Sequence, residues 1–290
     1  EELYPGAGNL MAEPQLIYKG TTEKLKATND GTWFAQLKKD GALYMYVKGA
    51  NGENYLFGRT KSKKTGLLTE KSANVPHIIE AFHDIPNSTI LLGEIYYPGK
   101  TSKDVVSIMG CLPQKAIDRQ VSAEYGAISY YVYDCLEYNG TSLLNYDNWT
   151  RYQVLQAIWK HDIIEESVIP WKIELAAAVD TEIYASIGKA LAAGEEGMVV
   201  KKKTGMYEPG KRPQTMLKAK QVDHIDAVII GFKDPTVEYT GKEVETWQYW
   251  MTEDGVNLPV GLHYGETKEP LIPISKHAYY CWKNAIEIGA

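Results

Sequence analysis

The sequence predicts an α+β fold of antiparallel sheets and helices. Strand-like and helix-like segments are mixed along the chain without the regular βαβ alternation that a parallel sheet requires. Residues 89–97 and 128–136 are rich in β-branched and aromatic residues, which favour strands. Helical patterns occupy residues 75–82, 151–159 and 181–193. The 290 residues are enough for one large domain or two ordinary ones.

Short strands are expected on both sides of the segment Lys38-Lys39-Asp40-Gly41. Residues 33–37 precede it and residues 42–47 follow it. A further strand at 55–57 comes after Asn51-Gly52, which is a turn signal. We expect these strands to form an antiparallel meander.

The chain changes character near Gln221, where we place a domain boundary between residues 1–221 and 222–290. A strand at 227–232 is followed by a polar, turn-rich stretch with scattered aromatic residues. The segment after the boundary is short for an independent domain, because small domains bury too little surface. We therefore expect one complete domain followed by a second, incomplete one.

The charge of the chain is unevenly distributed. Asp and Glu number 37 against 31 Lys and Arg, and the net charge of −6 argues against a protein that coats nucleic acid by bulk charge. The basic residues nevertheless form two clusters. These clusters are Arg59, Lys61, Lys63 and Lys64, and then Lys201, Lys202, Lys203, Lys211, Arg212, Lys218 and Lys220. Both flank strand-like runs, so a local phosphate-binding surface is expected.

Composition also excludes several classes of protein. No apolar run approaches the ~20 residues of a membrane span, and no signal-peptide pattern opens the chain. The three cysteines are scattered without CxxC spacing, and the six histidines show no metal-ligand spacing. We expect a protein of the reducing cytoplasm with neither a disulfide framework nor a structural zinc site.

Lys38 is the first candidate for chemistry. A lysine at the end of a strand and facing a cleft can attack a phosphorus atom when its amine is neutral. Desolvation and neighbouring cations favour that neutral form. Asp40, two residues on, is expected to lie on the same side and orient the amine, and Gly41 allows the backbone to approach a ligand closely.

Two later strands, at 198–201 and 216–220, carry further charged residues. Glu196 and Lys201 stand at opposite ends of the first strand. In the second strand Lys218 and Lys220 lie on one face, because side chains alternate along a strand, and could grip phosphate oxygens.

Taken in order, these segments resemble the motifs of the covalent nucleotidyltransferase superfamily, and most closely the compact, virus-like ATP-dependent DNA ligases. The segments that carry the resemblance are Lys38-Lys39-Asp40-Gly41, Phe57-Gly58-Arg59, Leu92-Gly93-Glu94, Tyr133-Asp134, Glu196 to Lys201, and Leu217-Lys218-Ala219-Lys220. The resemblance covers residues 33–220. It continues into residues 224–232, which resemble the start of an OB-fold domain in that family. It implies an adenylation (nucleotidyltransferase) domain at 1–221 and a partial OB-fold β-barrel at 222–290.

The resemblance implies a role for each matching residue. Lys38 is the nucleophile that ATP adenylylates. The nucleotide-binding residues that it implies are Gln36 and Leu37, Arg59, Glu94, Tyr133, Glu196, Lys201, Lys218 and Lys220. Among these, Gln36 reads the adenine amino edge, Glu94 holds the ribose, Tyr133 stacks on adenine, and Glu196 is the acid associated with Mg²⁺.

Basic residues beyond the nucleotide site are expected to meet DNA. Arg59 matches a family arginine that contacts both the ribose and the DNA end. The further candidates for DNA contact are Lys61, Lys63, Lys64, Lys202 and Lys203. Solvated loops remain an alternative for Lys202 and Lys203, and Tyr133 could be a packing residue.

The sequence departs from the family pattern in three places. Leu43 stands where the family often has arginine, and Leu92 where it has aspartate. The basic segment that ends the family's OB domain is not visible before Ala290, so we expect a truncated OB domain. Adenylylation from free ATP should then be slow, with weak sealing of pre-adenylylated nicks. Residues 234–282 look like an insertion without an assigned role.

The implied function is ATP- and Mg²⁺-dependent sealing of 5′-phosphate/3′-hydroxyl nicks in duplex DNA through a lysine–AMP intermediate. We expect a monomer that needs no membrane. An RNA ligase or a GTP-using capping-type enzyme would use the same chemistry. A nucleic-acid-binding module with a degenerate nucleotide pocket is the alternative outside that chemistry, and it would form no protein–AMP adduct.

Overall fold

The computed structural model describes most of the chain up to Lys220. The described residues are 11, 13–63, 65–121, 126–161 and 173–220, followed by the backbone of four strands between 228 and 274. The chain divides into two compact units, Glu1–Gln221 and Val222–Ala290. Within the described ranges, no helix is both long enough and apolar enough to cross a membrane.

The first unit combines eleven described strands with short helices. The strands are β1 (Tyr18–Lys19), β2 (Trp33–Lys38), β3 (Gly41–Lys48), β4 (Asn54–Lys61), β5 (Leu68–Glu70), β6 (Thr89–Tyr96), β7 (Ser129–Tyr138), β8 (Thr141–Ser142), β9 (Ile173–Leu175), β10 (Gly197–Lys202) and β11 (Met216–Lys220). The helices are α1 (Thr22–Lys26), α2 (Pro76–Ala81), α3 (Ser102–Met109), α4 (Pro113–Val121), α5 (Asn148–His161) and α6 (Ile183–Ala192), with a 3₁₀ turn at Ser72–Asn74.

The larger sheet has the strand order β5-β4-β3-β6-β7-β8, and β9 pairs in parallel with β7. Its two faces follow from the alternation of β3. Tyr44 and Tyr46 belong to the core that the sheet forms with α2 to α5, whereas Met45 and Val47 belong to a second core on the other face. The second face therefore turns away from these helices and toward the cavity described below.

The smaller sheet has the order β1-β11-β10-β2, with β1 parallel to β11 and the other pairs antiparallel. Helix α6 covers this sheet through Ile183 and Ile187, which pack with Val200 and Leu217. The sheet thus places β2, which ends at Lys38, next to β10, with β11 on the other side of β10.

The expectation of a meander from β2 to β4 is wrong in its first step. β3 pairs with β4 and β6, but β2 pairs with β10 in the other sheet. The chain crosses from one sheet to the other at residues 39–40 and enters β3 at Gly41. A Cβ at Gly41 would lie 2.1 Å from the Ile95 carbonyl oxygen, so only glycine fits this close crossing.

The three helices expected from the sequence are confirmed as α2, α5 and α6. Helix α6 is followed by Gly194 at φ +83°, the left-handed conformation expected of a glycine at a helix end. Helices α3 and α4 were not predicted. Their local signals are present, because the Asp104 carboxylate accepts the Thr101 N–H at 3.0 Å, and Pro113 opens α4.

The second unit contains an antiparallel sheet. Its strands are β12 (Val228–Lys233), β13 (Trp247–Thr252), β14 (His263–Tyr264) and β15 (Pro270–Ile274), in the order β12-β13-β15-β14. Three of them, β13, β14 and β15, lie in the segment that looks like an insertion in the sequence, so the described strands of that segment belong to this sheet. The predicted fold class, α+β with antiparallel sheets, is confirmed. Residues 275–290, on which the expected truncation depends, lie outside the described residues.

Candidate active site

A cavity of about 320 Å³ lies between the facing ends of the two sheets of the first unit. Among its walls are β2, β10 and β11 from the smaller sheet and β3, β4, β6 and β7 from the larger one. The sequence-predicted residues that border it are Gln36, Leu37, Lys38, Arg59, Glu94, Tyr133, Lys201 and Lys218. Most of the predicted nucleotide site is therefore brought together in one place.

Lys38 ends β2 and forms an ion pair with Glu196. Lys38 Nζ lies 2.5 Å from Glu196 Oε2, and both side chains are 23% exposed. Lys220 Nζ lies 3.9 Å from the other oxygen, Glu196 Oε1. The sheet register explains the group, because Gly197 pairs with Lys38 on one side and with Lys220 on the other. One carboxylate thus stands between two ammonium groups.

The turn that carries Glu196 is held firmly by its backbone. After α6, the N–H of Gly194 donates to the Leu191 carbonyl at 3.1 Å, and the N–H of Glu195 donates to the Ala190 carbonyl at 3.1 Å. This is the Schellman arrangement that ends many helices. Gly197 follows at φ +143°, where a Cβ would lie 1.9 Å from the Ala219 carbonyl oxygen. The position of Glu196 is therefore set by backbone bonds on both sides.

Glu94 faces the same charges from β6. Burial raises the pKa of the Glu94 carboxyl to about 8; Lys38 opposes this shift, and the charges of Glu196 and Asp40 add to it. At neutral pH Glu94 is thus largely protonated and can donate a hydrogen bond into the cavity.

Gln36 is buried in β2, two residues before Lys38. Its Nε2 donates to the Ala176 carbonyl at 3.2 Å, which fixes the orientation of the amide. No group among the described residues donates to its Oε1. Since an unpaired buried acceptor is unfavourable, this oxygen is available to a ligand N–H in the cavity.

Lys201 lies deep in the cavity next to Tyr133. Its ammonium donates to the Tyr133 carbonyl at 3.2 Å and stands 4.9 Å from the centre of the Tyr133 ring. Burial lowers the pKa of Lys201 to about 8, although the charge of Asp134 opposes this shift. At the cavity wall, Lys218 also has a lowered pKa, because of partial burial and then the nearby charges of Lys220 and other cations.

A buried ion pair supports the floor of the site. Arg151 of α5 binds Asp134 of β7 through two bonds, Nε to Oδ1 at 2.8 Å and Nη2 to Oδ2 at 3.0 Å. Two further N–H groups donate to the Tyr146 carbonyl and to Asn148 Oδ1, both at 2.7 Å. Burial alone would raise the pKa of Asp134, but Arg151 holds it below its usual range. This network fixes the strand that carries Tyr133.

The expected role of Asp40 in orienting Lys38 is wrong. The Asp40 carboxylate accepts the backbone N–H of Ser102, at the start of α3, at 3.2 Å. The period-two expectation fails because β2 ends at Lys38 and the chain then crosses between sheets. Glu196 makes the contact to the Lys38 amine instead.

The proposed DNA-contact residues are spread over two elements. Lys61 and Lys63 are exposed at and just after the end of β4, and Lys64 lies outside the described residues. Lys202 is half-buried at the end of β10. Lys203 is engaged by Asp180 Oδ2 at 3.1 Å and by the Trp149 ring at 4.7 Å.

Several cavity residues were missed by sequence reasoning. Arg212 and Lys39 border the cavity with Tyr131, and so does the segment 14–17. Residues 207–211, near the C-terminal end of the first unit, hold that segment in place. Leu16 N donates to the Lys211 carbonyl at 2.7 Å, and Gln15 N donates to Tyr207 Oη at 3.3 Å. For Arg212 and Lys39, the basic side chain was the only feature of the sequence that indicated a place in the phosphate-binding site. The contacts of segment 14–17 depend on pairing across about 200 residues.

The site offers oxygen ligands for a metal ion but no dense cluster of them. No group of three or more His, Cys, Asp or Glu side chains that could hold a metal occurs among the described residues. Mg²⁺ is commonly held by one or two carboxylates together with substrate phosphates and water. The Glu196 carboxylate fits that pattern beside a bound nucleotide.

Comparison with known proteins identifies the relatives of this chain. The family described as "ATP dependent DNA ligase domain" matches residues 14–220. The DNA ligase of Methanothrix thermoacetophila is 28% identical over 211 residues, which is 70% of this chain and 35% of that ligase. Human DNA ligase 4 is 29% identical over 208 residues, which is 68% of this chain and 21% of that ligase. The chain thus spans about a third or less of either relative.

Solved structures agree on the fold. A mycobacterial DNA ligase D, complexed with ATP and MES, superimposes with a TM-score of 0.53 at 17% identity; the match covers 94% of this chain and 76% of that one. The family match covers more than half of the chain and includes both sheets and the cavity between them. The chain belongs to the ATP-dependent DNA ligase domain family.

Proposed function

We propose that this protein seals nicks in duplex DNA by the ATP-dependent ligase reaction, with Lys38 as the nucleophile. The observation that carries the proposal is the Lys38–Glu196 pair at the edge of the cavity, with Nζ and Oε2 2.5 Å apart. A lysine that must attack phosphorus needs a neighbouring base and access to the substrate, and this pair supplies both.

Adenine fits the end of the cavity at Gln36. The unpaired Gln36 Oε1 would accept the adenine 6-amino group, whereas the guanine 6-oxo group would place two acceptors face to face. This favours ATP over GTP and speaks against a GTP-using capping-type enzyme. Tyr133 offers a ring face to the base, and the largely protonated Glu94 offers a hydrogen bond to the ribose.

Phosphates fit the basic residues that line the cavity. Lys218 and Arg212 border it, and Lys220 lies beside Glu196. Arg59 completes a group of cations that can neutralise a triphosphate, with Lys201 deeper inside. Since in-line displacement at phosphorus depends on positioning and charge neutralisation, this group supports the proposed reaction.

The adenylyl transfer is a displacement at the α-phosphorus of ATP. The Lys38 ammonium first gives a proton to Glu196, and the amine lone pair then forms a P–N bond while the P–O bond to pyrophosphate breaks. The nitrogen loses a second proton to water, which leaves a neutral phosphoramidate nitrogen. Mg²⁺ would be held by substrate phosphate oxygens and water, with Glu196 reached through water, and would supply charge neutralisation at the phosphates.

The later steps involve DNA. The 5′-phosphate at a nick takes AMP from Lys38, and the 3′-hydroxyl then attacks that phosphate and releases AMP. We assign these steps to the first unit as the adenylation domain, with the second unit as an OB-fold domain that holds the duplex. The exposed Lys61 and Lys63 at the end of β4, together with Arg59, are the DNA contacts that we favour.

The test is incubation of the purified protein with α-labelled ATP and Mg²⁺. A labelled protein that loses its label after Lys38→Ala supports the proposal, as does transfer of the label to nicked duplex DNA. Nicked RNA and labelled GTP distinguish the RNA ligase and the capping-type enzyme. Protein that binds DNA but never acquires label would identify a non-catalytic binding module and overturn the proposal.

A further inference from the structure

The loop between β10 and β11 is bound by a segment that lies before β1. This loop, residues 203–215, is longer than most connections between paired strands. Hydrogen bonds join residues 13–16, which we call the strap, to residues 207–211, which we call the loop tip. Gly210 N donates to the Glu13 carbonyl and Leu16 N to the Lys211 carbonyl, both at 2.7 Å, Glu208 N donates to Gln15 Oε1 at 2.5 Å, and Gln15 N donates to Tyr207 Oη at 3.3 Å.

The two ends of the same loop are held by other elements. Near β10, the Gly205 carbonyl accepts the Asn148 N–H from the start of α5 at 2.7 Å. Near β11, the Thr215 carbonyl accepts the Lys202 N–H at 2.8 Å. These bonds do not include the loop tip. The position of the tip therefore depends on the strap and on a turn within the tip itself.

Gln15 is the strap residue whose side chain is most involved. It is 8% exposed, and both polar atoms of its side chain have partners within the protein. Its Oε1 accepts from Glu208, and its Nε2 donates to Met216 Sδ at 3.3 Å. Tyr207, which accepts the Gln15 N–H, also faces Arg151, whose guanidinium lies 5.7 Å from the ring centre. The strap thus ties the loop tip to β11 and to the buried ion pair.

Arg212 comes directly after the loop tip and borders the cavity. Burial and then the charges of Lys220 and Arg212 lower the pKa of Lys218, so the Arg212 guanidinium lies on the phosphate-binding side of the cavity. The Arg212 side chain is exposed, and none of the carboxylates in the described part of the chain forms an ion pair with it. Its place at the cavity is therefore set by the backbone that carries it, and the preceding residue, Lys211, is bound to Leu16 of the strap.

We propose that the strap positions Arg212 for the phosphates of the bound nucleotide, with Gln15 and Tyr207 as positioning residues. This inference rests on the proposed function, because it takes a nucleoside triphosphate as the ligand of the cavity. Arg212 touches the phosphates, and Gln15 acts only through Arg212. A change of Gln15 should therefore matter only while Arg212 is present and only for a ligand that carries phosphates.

The experiment is a double-mutant cycle that measures nucleotide binding. The ligands are α,β-methylene-ATP, which binds without transferring AMP, and adenosine, which has no phosphate. Equilibrium dialysis gives the Kd of each ligand, and adduct formation from labelled ATP is measured in parallel.

The variants separate the strap from the cation. Gln15→Met keeps the length of the side chain but removes both of its hydrogen bonds, and Tyr207→Phe removes the hydroxyl that binds the strap. Each is made alone and together with Arg212→Met. Gln114→Met is the matched control, because it makes the same change at an exposed position in α4.

The proposal predicts losses that do not add. Arg212→Met should weaken binding of α,β-methylene-ATP by about tenfold, because a charge-assisted contact is lost. Gln15→Met and Tyr207→Phe should each weaken it by about threefold, and neither should weaken it further in protein that already carries Arg212→Met. Binding of adenosine should be unchanged in all of these variants, and Gln114→Met should affect neither ligand.

Two results would overturn the proposal. Losses that add in the double variants would show that the strap acts independently of Arg212. An equal loss for adenosine and for α,β-methylene-ATP would show that the strap only supports the fold of the cavity.

The adduct measurement separates this inference from the proposed function. If the binding losses follow the prediction but the unmodified protein forms no adduct with ATP, the positioning role stands and the proposed function fails. If the adduct forms but the losses add, the proposed function stands and the positioning role fails.

Discussion

Two ion pairs within the first unit differ in almost every physical respect. The Asp134–Arg151 pair is 5% and 1% exposed, makes two bonds, and Arg151 donates two more bonds to Tyr146 and Asn148. The Lys38–Glu196 pair is 23% exposed on both sides, and its second carboxylate oxygen is shared with Lys220 at 3.9 Å. One pair is closed on all sides, and the other borders an open cavity.

The difference separates a supporting role from a chemical one. A buried, bidentate pair is costly to break, because either partner alone would be a buried charge, so it fixes the strand and helix that carry it. A pair at the edge of a cavity can be opened by a substrate whose phosphates replace the carboxylate. The first pair therefore supports the structure of the site, and the second is the pair to which we assign the proposed reaction.

The largest effect is expected when the buried pair is broken. Arg151→Met leaves the Asp134 carboxylate buried without its partner, so the free energy of unfolding should fall by about 3–5 kcal/mol in urea denaturation. Lys38→Met is the matched change in the open pair and should alter stability by less than about 1 kcal/mol. Equal losses for the two variants would contradict the comparison.

The rate of adduct formation should respond in the reverse order, with the larger effect from a change in the open pair. Glu196→Gln removes the group placed to accept the Lys38 proton, so adduct formation from ATP should slow by about 100-fold while stability changes little. Single-turnover rates with labelled ATP provide the measurement. A variant that reacts as fast as the unmodified protein would show that another group takes the proton.

The pH dependence of stability should reveal Glu94. Its pKa is raised by burial from 4.5 to about 8, so between these values the folded chain holds a proton that the unfolded chain releases. The contribution of Glu94 to the free energy of unfolding is therefore fully present below pH 4.5 and is lost as pH rises through 8. After screening by cavity water, this contribution is on the order of 2 kcal/mol. Glu94→Gln should remove this decline. Denaturation of both proteins at pH 5 and pH 8 tests it, and parallel declines would refute it.

A smaller effect is expected at the base-recognition end. Gln36→Leu removes the unpaired acceptor, so the preference for ATP over purine riboside triphosphate, which lacks the amino group, should fall by about tenfold. Because the two nucleotides are compared within each protein, any loss of folding cancels. An unchanged preference would place the adenine edge elsewhere in the cavity.

Much of the site follows from local patterns in the sequence. Gln36 and Lys38 share one strand, and Lys218 and Lys220 share another, so alternation alone places each pair on one face. The contact between Lys38 and Glu196 could not come from local patterns, because 158 residues separate them and their meeting depends on sheet register. Only the ordered motifs suggested it.

The failures have equally specific causes. Asp40 was placed by strand periodicity, but the chain leaves β2 before reaching it, and the start of α3 binds its carboxylate instead. The Asp134–Arg151 pair was not foreseen, since a buried aspartate on a strand and an arginine on a helix look like ordinary surface charges in sequence. Tertiary pairing, rather than local preference, decided both cases.

The segment before β1 has a consequence for how the protein is made. Gln15 bonds to Tyr207, 192 residues away, and this contact closes one wall of the cavity. Chains whose contacts join distant residues fold slowly, and a ribosome delivers the first partner long before the second. During synthesis the cavity around Lys38 is therefore incomplete until β11 has emerged from the ribosome. A nascent or cleaved fragment that ends before β11 should not acquire AMP.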